Sequence, residues 1–266
     1  MKVLLTFDVE EFDTPEEYGR KISFEEKIKI STVGLQNVLT LVEQLQVKCT
    51  FFTTAVYALE QPELIKIISQ SHEIASHGYS HTTFKNSDLK KSKDTLEALI
   101  GKEIQGFRMA RMAKVNDVEI VKAGYQYNAS LNPTWIPGRY FHFFEPRIPF
   151  KKNDLIQIPA SVSTIFRIPL FWLSFENFPM GLLKFLVKRA LAHDGFLSLY
   201  FHPWEFTNIK NTGVPSFISK SSGEIMLQRL QETITLVRKI ESTEFTTINE
   251  YINDHFHKEH PHEIRH

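Results

Sequence analysis

The chain has 266 residues, with 31 Lys and Arg balanced by 31 Asp and Glu, 42% hydrophobic and 23% charged residues, and one cysteine. That length suits one large α/β or barrel domain with a sizeable core, and the composition excludes wholesale disorder, collagen-like repeats and coiled coil. Zero formal charge gives no global electrostatic reason to expect a nucleic-acid or anionic-membrane partner, and the lone Cys49 excludes an internal disulfide and a cysteine-based zinc cluster.

In chain order, Val3 to Val9 reads as a strand and Phe24 to Leu45 as a helix, followed by a strand over Cys49 to Val56. Glu63 to Ser69 then belongs to a second helix, Glu73 to Ser76 to a short strand, and Ser87 to Ile100 to a polar helix stopped by Gly101. Gly106 to Ala110, Tyr125 to Ser130 and Leu155 to Val162 read as further strands. A helix over Asp117 to Ala123 separates the first two. Leu182 to Ala192 and Glu224 to Ile240 are helical, Phe196 to Phe201 is a strongly apolar strand, and Phe245 to Ile248 a last one. This alternation predicts an α/β fold with a mostly parallel sheet, either open and doubly wound or closed as a barrel. MKVLLTFDVEEF is too short in apolar residues for a signal-peptide core, and no stretch approaches a membrane span. A cytoplasmic chain without a transmembrane segment is therefore expected.

Parallel α/β folds gather their active sites at the C-terminal ends of strands. The first strand ends in Asp8-Val9-Glu10-Glu11, the third in His77-Gly78-Tyr79-Ser80-His81, the fourth contains Arg108, and the apolar strand near residue 200 ends in His202-Pro203-Trp204-Glu205. Asp8 and Glu10 project to the same side of a strand, where a metal beside one and an arginine beside the other would stabilise two neighbouring carboxylates. Against this stands a capping acid beside a solvated one. His77 and His81 are spaced to face one way on a helical turn or tight loop. Two imidazoles with a carboxylate are a common catalytic zinc set, although Gly78 replaces the glutamate of HExxH. Arg108 in GFRMAR would be costly to bury without a carboxylate, and Arg111 competes for that role.

The succession TFDVEE, SHGYSH, GFRMAR and LYFHPWE, with VKCTFFTTA between, resembles the NodB-homology polysaccharide deacetylases, carbohydrate esterase family four, over roughly Lys2 to Ile252. The resemblance implies a distorted, TIM-like (β/α) barrel and one divalent metal ion, zinc first, with cobalt or another divalent metal as alternatives. It implies Asp8 as catalytic base, His77 and His81 as metal ligands, Arg108 as the residue holding the base, and His202 as general acid. In an acid-x-acid subgroup the third ligand is Glu10, with Glu11 as the rival. Two departures stand out: Met109, Ala110 and Arg111 follow the motif arginine where small residues and proline are usual, and Asn128 occupies a position often held by aspartate.

The implied activity is hydrolytic removal of N-acetyl groups from amino sugars of a polysaccharide, peptidoglycan or glycan precursor, a lipid-linked glycan included. The alternatives are hydrolysis of another non-peptide C–N bond, in a cyclic amide or ureide, and a carbohydrate-binding pseudoenzyme. Trp204 and Tyr79 are expected to contact substrate. Phe166, Phe171, Trp172, Phe175 and Phe178 are either core or an aromatic surface, and burial of most of them would exclude the surface. Residues 1–254 are read as the deacetylase domain and residues 255–266 as a histidine-rich, disordered tail.

Overall fold

A computed structural model describes residues 1–138 and 140–257. Its centre is a curled, mostly parallel sheet of nine strands: β1 (Lys2–Val9), β2 (Thr50–Thr53), β3 (Glu73–Ser76), β4 (Gly106–Phe107), β5 (Tyr127–Asn128), β8 (Phe150–Lys152), β9 (Leu155–Gln157), β10 (Phe196–Phe201) and β11 (Glu244–Phe245). A separate hairpin pairs β6 (Trp135–Ile136) with β7 (Tyr140–Phe141). Strand order is β10-β1-β2-β3-β4-β5-β9-β8, with β11 beside the start of β1. All these pairs are parallel except β8 with β9. Between β9 and β10 the wall is closed without a regular ladder: Ser161 N–H donates to Ser198 O at 2.9 Å, and Ser198 N–H donates to Ser161 Oγ at 2.8 Å. The fold is a distorted, TIM-like (β/α) barrel.

The helices are α1 (Thr14–Glu17), α2 (Phe24–Gln44), α3 (Ala55–Glu60), α4 (Pro62–Ser71), α5 (Asn86–Ile100), α6 (Asp117–Lys122), α7 (Trp172–Asn177), α8 (Met180–Asp194), α9 (Ser216–Ser219), α10 (Glu224–Arg238) and α11 (Ile248–Ile252), and the longest on the outside are α2, α5, α8 and α10. Their apolar stripes meet Val3, Leu5, Phe7 and Val9 of β1, while Leu4 of the same strand joins Phe52, Tyr127, Ile156, Phe196 and Ile248 in a second cluster inside the barrel. Period-two alternation thus sorts each strand into a helix-facing set and an inward set.

Several strands are shorter than their apolar runs. Thr54 caps a helix over Ala55–Glu60, ending β2 early, and Thr247 caps Ile248–Ile252, so the last expected strand is only Glu244–Phe245. Both threonines accept a backbone N–H through their hydroxyls, a competitor to strand extension that β-propensity alone does not reveal. At the C-terminus, helical turns continue through Asn253–His257, His255 stacks on Tyr251 with 4.2 Å between ring centroids, and Phe256 packs on the inner cluster. The rest of the expected tail, residues 258–266, lies outside the described residues.

Candidate metal and catalytic centre

The inward register carries the chemistry. Leu4, Thr6 and Asp8 follow one another up the inside of β1, and Glu10 continues the series just beyond its end. Residues with the same parity supply His77 after β3, Arg108 after β4 and His202 after β10. All of them meet above the apolar floor.

Glu10, His77 and His81 are buried, and their ligand atoms lie within 4.8 Å of one another. The Nε2 atoms of both histidines approach the same oxygen, Glu10 Oε2, at 3.1 Å each. Donors bonded at about 2.0–2.1 Å to a tetrahedral zinc are separated by about 3.3 Å, so the spacing and the N,N,O donor set both fit such an ion. The electrostatics agree. Burial pushes Glu10 up to about 8, with His81 opposing the shift and Asp8 and Asp13 adding to it. A divalent cation among these donors would supply the missing positive charge and hold Glu10 ionised. His77 and His81 sit on a tight loop, not a helix. Gly78, at φ +85°, makes the turn that returns His81 to the site.

Two further side chains fix these donors. Asp13 Oδ2 lies 2.8 Å from His81 Nδ1, and Trp204 donates its Nε1–H to Glu10 Oε1 at 3.1 Å. Glu11 turns away and accepts the Thr54 hydroxyl at 2.7 Å, so of the two glutamates only Glu10 joins the histidines.

Arg108, fully buried, donates from Nη1 to Asp8 Oδ1 at 2.6 Å and to Thr6 Oγ1 at 2.9 Å, and from Nε to Ala129 O at 3.0 Å. Its guanidinium carbon lies 4.0 Å from the centroid of the Phe52 ring. Burial alone would raise the Asp8 carboxyl. The Arg108 charge, with His77 and His202, outweighs it and holds Asp8 below its usual value. Arg111 takes a different partner, with Nη2 3.3 Å from Asp13 Oδ2 and Nε 2.9 Å from Glu17 Oε1. Asn128 does not reach Arg108: its Oδ1 accepts from the Ser130 N–H at 3.0 Å and hydroxyl at 2.5 Å.

His202 follows β10, the strand beside β1, with Nε2 3.9 Å from Asp8 Oδ2 and 4.0 Å from Glu10 Oε1. Glu205 Oε1 accepts both the backbone N–H of His202 at 2.8 Å and its Nδ1–H at 2.7 Å, which leaves Nε2 as the atom presented to the site. Burial pushes His202 down to about 3 against the pull of Asp8. Trp204 stacks on the imidazole at 4.8 Å between centroids, and Trp172 meets it edge-on at 5.4 Å.

Of the two expected substrate contacts, Trp204 lines the pocket but is almost wholly buried behind His202 and Glu10, where it positions both. Tyr79 is absent from the pocket lining; the Lys91 ammonium sits 3.6 Å over its ring. Tyr140, Trp172, Leu173 and Tyr200 line the opening instead. Asp13, Glu205 and Thr6 were not singled out by sequence. Glu205 left a readable signal, because an acid three residues after His202 occupies the position of a capping-box glutamate. Asp13 left none beyond belonging to an acidic cluster.

Residues 2–128, which include Asp8, Glu10, His77, His81 and Arg108, match the family model "Polysaccharide deacetylase". Three solved structures share the fold. One described as a polysaccharide deacetylase of Mycobacterium smegmatis aligns at 18% identity over 100% of this chain and 93% of its own, with a TM-score of 0.68. An allantoinase aligns at 17% identity over 98% and 91%, with a TM-score of 0.69. One described as a polysaccharide deacetylase of Pseudomonas aeruginosa aligns at 16% identity over 98% and 92%, also at 0.69.

Proposed function

We propose that this chain is a metal-dependent carbohydrate N-deacetylase, which hydrolyses the acetamido group of an amino sugar to acetate and a free amine. The observation that carries the reading is the Asp8–Arg108 ion pair set beside the convergent Glu10, His77 and His81, with His202 facing both. Glu10, His77 and His81 would hold a divalent ion, zinc or cobalt, which when bound polarises the amide carbonyl and lowers the pKa of a water. Arg108 occupies Asp8 Oδ1 and leaves Oδ2 to take the proton of the attacking water. The water oxygen adds to the carbonyl carbon as the C=O π pair moves onto the carbonyl oxygen, and that pair re-forms the C=O bond as the C–N bond breaks. The departing nitrogen takes its proton from His202 Nε2, because an amine anion is too poor a leaving group without one.

His202 is neutral at rest by virtue of its burial, so it gains that proton during turnover, and Asp8 Oδ2 at 3.9 Å is the neighbour that has just accepted one. Glu205 keeps Nδ1–H engaged and stabilises the transient imidazolium. Trp172 and Trp204 hold the ring edge and face.

The test is acetate release from N-acetylglucosamine oligomers and surface-glycan fragments, using metal-stripped protein and the same protein reloaded with zinc or cobalt. Metal-dependent release supports the proposal. The likeness to an allantoinase makes a cyclic ureide the second substrate class to assay: ring opening without acetate release would replace the deacetylase reading. One metal bound per chain with no turnover on either class would assign a binding role.

A further inference from the structure

The catalytic reading leaves unused the densest exposed apolar surface of the molecule. Half of the sixteen large hydrophobic side chains exposed among the described residues fall within residues 131–194. Phe144 is 94% exposed and Phe166 77%, far beyond the scattered single apolar residues of an ordinary surface. The aromatic run anticipated from sequence is not its source: Phe171, Trp172 and Phe175 are buried, Phe178 is half-buried, and only Phe166 of that set reaches solvent.

Hydrogen bonds gather these side chains into one region. Arg167 Nη1 donates to Glu145 O at 2.7 Å and to Pro133 O at 3.3 Å, and Thr134 Oγ1 donates to Arg167 O at 2.7 Å. The turn bearing Ile165 and Phe166 therefore lies against the segment that bears Phe144 and the root of the β6–β7 hairpin. On its other side Arg189 Nε donates to Thr164 Oγ1 at 2.9 Å, joining the same turn to α8, where Leu182, Phe185 and Arg189 follow at helical spacing on one face. On the hairpin, exposed Trp135 lies opposite exposed Phe141, while Tyr140, next in the alternation, lines the catalytic pocket.

The charge of this region is not that of the chain. Residues 131–194 hold eight Lys and Arg against four Asp and Glu, whereas the whole chain is neutral. Lys188 and Arg189 are exposed on α8 one turn from Phe185, and exposed Lys152 lines one groove with Phe141. No helix among the described residues is long and apolar enough to cross a membrane, so a contact made here is peripheral.

We propose that this face docks on an anionic lipid bilayer, with Phe144, Phe166, Ile165 and the Trp135–Phe141 pair entering the headgroup–acyl boundary and the basic residues meeting lipid phosphates. Apolar and aromatic tips ringed by cations match both layers of such a surface. The hairpin that faces the bilayer through Phe141 faces the pocket through Tyr140, which puts the site beside any glycan carried on that bilayer. Docking is independent of the deacetylase reading because it is measured without turnover.

The test is co-sedimentation of the full chain with phosphatidylcholine vesicles and with vesicles containing phosphatidylglycerol. The expected result is binding to the anionic vesicles that weakens as salt rises, and a loss of roughly tenfold or more in partitioning for the Phe144→Ser, Phe166→Ser double variant at unchanged thermal stability. Absence of binding to anionic vesicles overturns the proposal, as does equal partitioning of variant and wild type. A concentration-dependent dimer abolished by the same substitutions, without vesicle binding, would give the face to a second copy and overturn it too.

Discussion

Replacing Asp8 by Asn changes the charge of the centre while keeping its shape, and it separates two roles that geometry assigns to one carboxylate. Asn retains an oxygen that can accept from Arg108 Nη1, now 2.6 Å from Asp8 Oδ1, so the hydrogen bond survives and the ionic attraction does not. The other acceptors of Arg108, Thr6 Oγ1 and Ala129 O, are neutral, so the variant buries an uncompensated guanidinium. Breaking a buried ion pair from one side costs about 3 kcal/mol or more, which for a chain of this size lowers the melting temperature by roughly 6–12 °C. Asp8 has its carboxyl held low in the folded state. Its contribution is therefore complete above the unfolded value of about 3.9, and the stability gap between wild type and variant closes as the pH falls through the folded value. On the chemistry, loss of a general base costs about 10²–10⁴ in kcat. Asp8 is not among the three converging donors, so zinc stoichiometry should stay at one. Acetate release, metal content and thermal melting on the same preparation test all three. Turnover within about threefold of wild type would remove Asp8 from proton transfer, and joint loss of metal would show that the metal and base sites are not separable.

Glu10→Gln should lower zinc affinity by at least about tenfold in a competitive chelator titration, whereas Glu11→Gln, whose partner is the Thr54 hydroxyl, should leave affinity unchanged and cost about 1 kcal/mol of stability. Glu205→Ala frees both the ring and the backbone N–H of His202 and should lower kcat by about 10–10² with little change in KM; Glu205→Gln, which keeps an acceptor oxygen, should recover part of it. Gly34→Ala should destabilise the fold by about 2–4 kcal/mol in denaturant melts, because the new Cβ would sit 1.8 Å from Pro203 O, where α2 packs on the turn that carries His202 and Trp204. Asn128→Asp should leave acetate release within about threefold of wild type, since Arg108 draws nothing from that side chain; a tenfold gain would show that the missing charge limits the enzyme.

The parts of the site most legible in the sequence are those that follow from alternation. Asp8 and Glu10 share a face because a strand has period two, and His202 points inward because Phe196, Ser198 and Tyr200 precede it in the same register. The barrel itself follows from repeated strand–helix units. What escaped depends on contacts between distant segments. Arg111 lies within three residues of Arg108 and has the same chemistry, yet φ values of +57° at Arg111 and +53° at Met112 turn the chain so that it reaches Asp13 instead. Nothing local marks that turn, because neither residue favours it. Tyr79 lies outside the pocket lining for a similar reason: the loop that brings His77 and His81 together leaves the intervening ring under Lys91. The exposed hairpin and the segments that flank it have no periodicity to read, since Pro133, Thr134 and Glu145 are tied down by contacts with Arg167 from another loop.

The charge balance of the centre explains why these particular supports are present. Asp8, Glu10, Asp13 and Glu205 are all buried, each with an oxygen within about 4 Å of a ring nitrogen of His77, His81 or His202, and Arg108 is the one buried arginine bonded to an acid of this centre among the described residues. Each remaining acid has a different compensation. Asp13 is balanced by His81, Arg111 and Lys27, which with its hydrogen bonds keep it low despite burial. Glu205 has no cation, and burial raises it well above its usual value. Glu10 is left with an approach from two imidazoles and an indole N–H, none of them a fixed charge. A divalent cation between Glu10 and the histidines would therefore complete a balance that the protein groups leave open. Because Arg108 already fixes Asp8, gain or loss of such a cation would leave the Asp8 carboxylate in place.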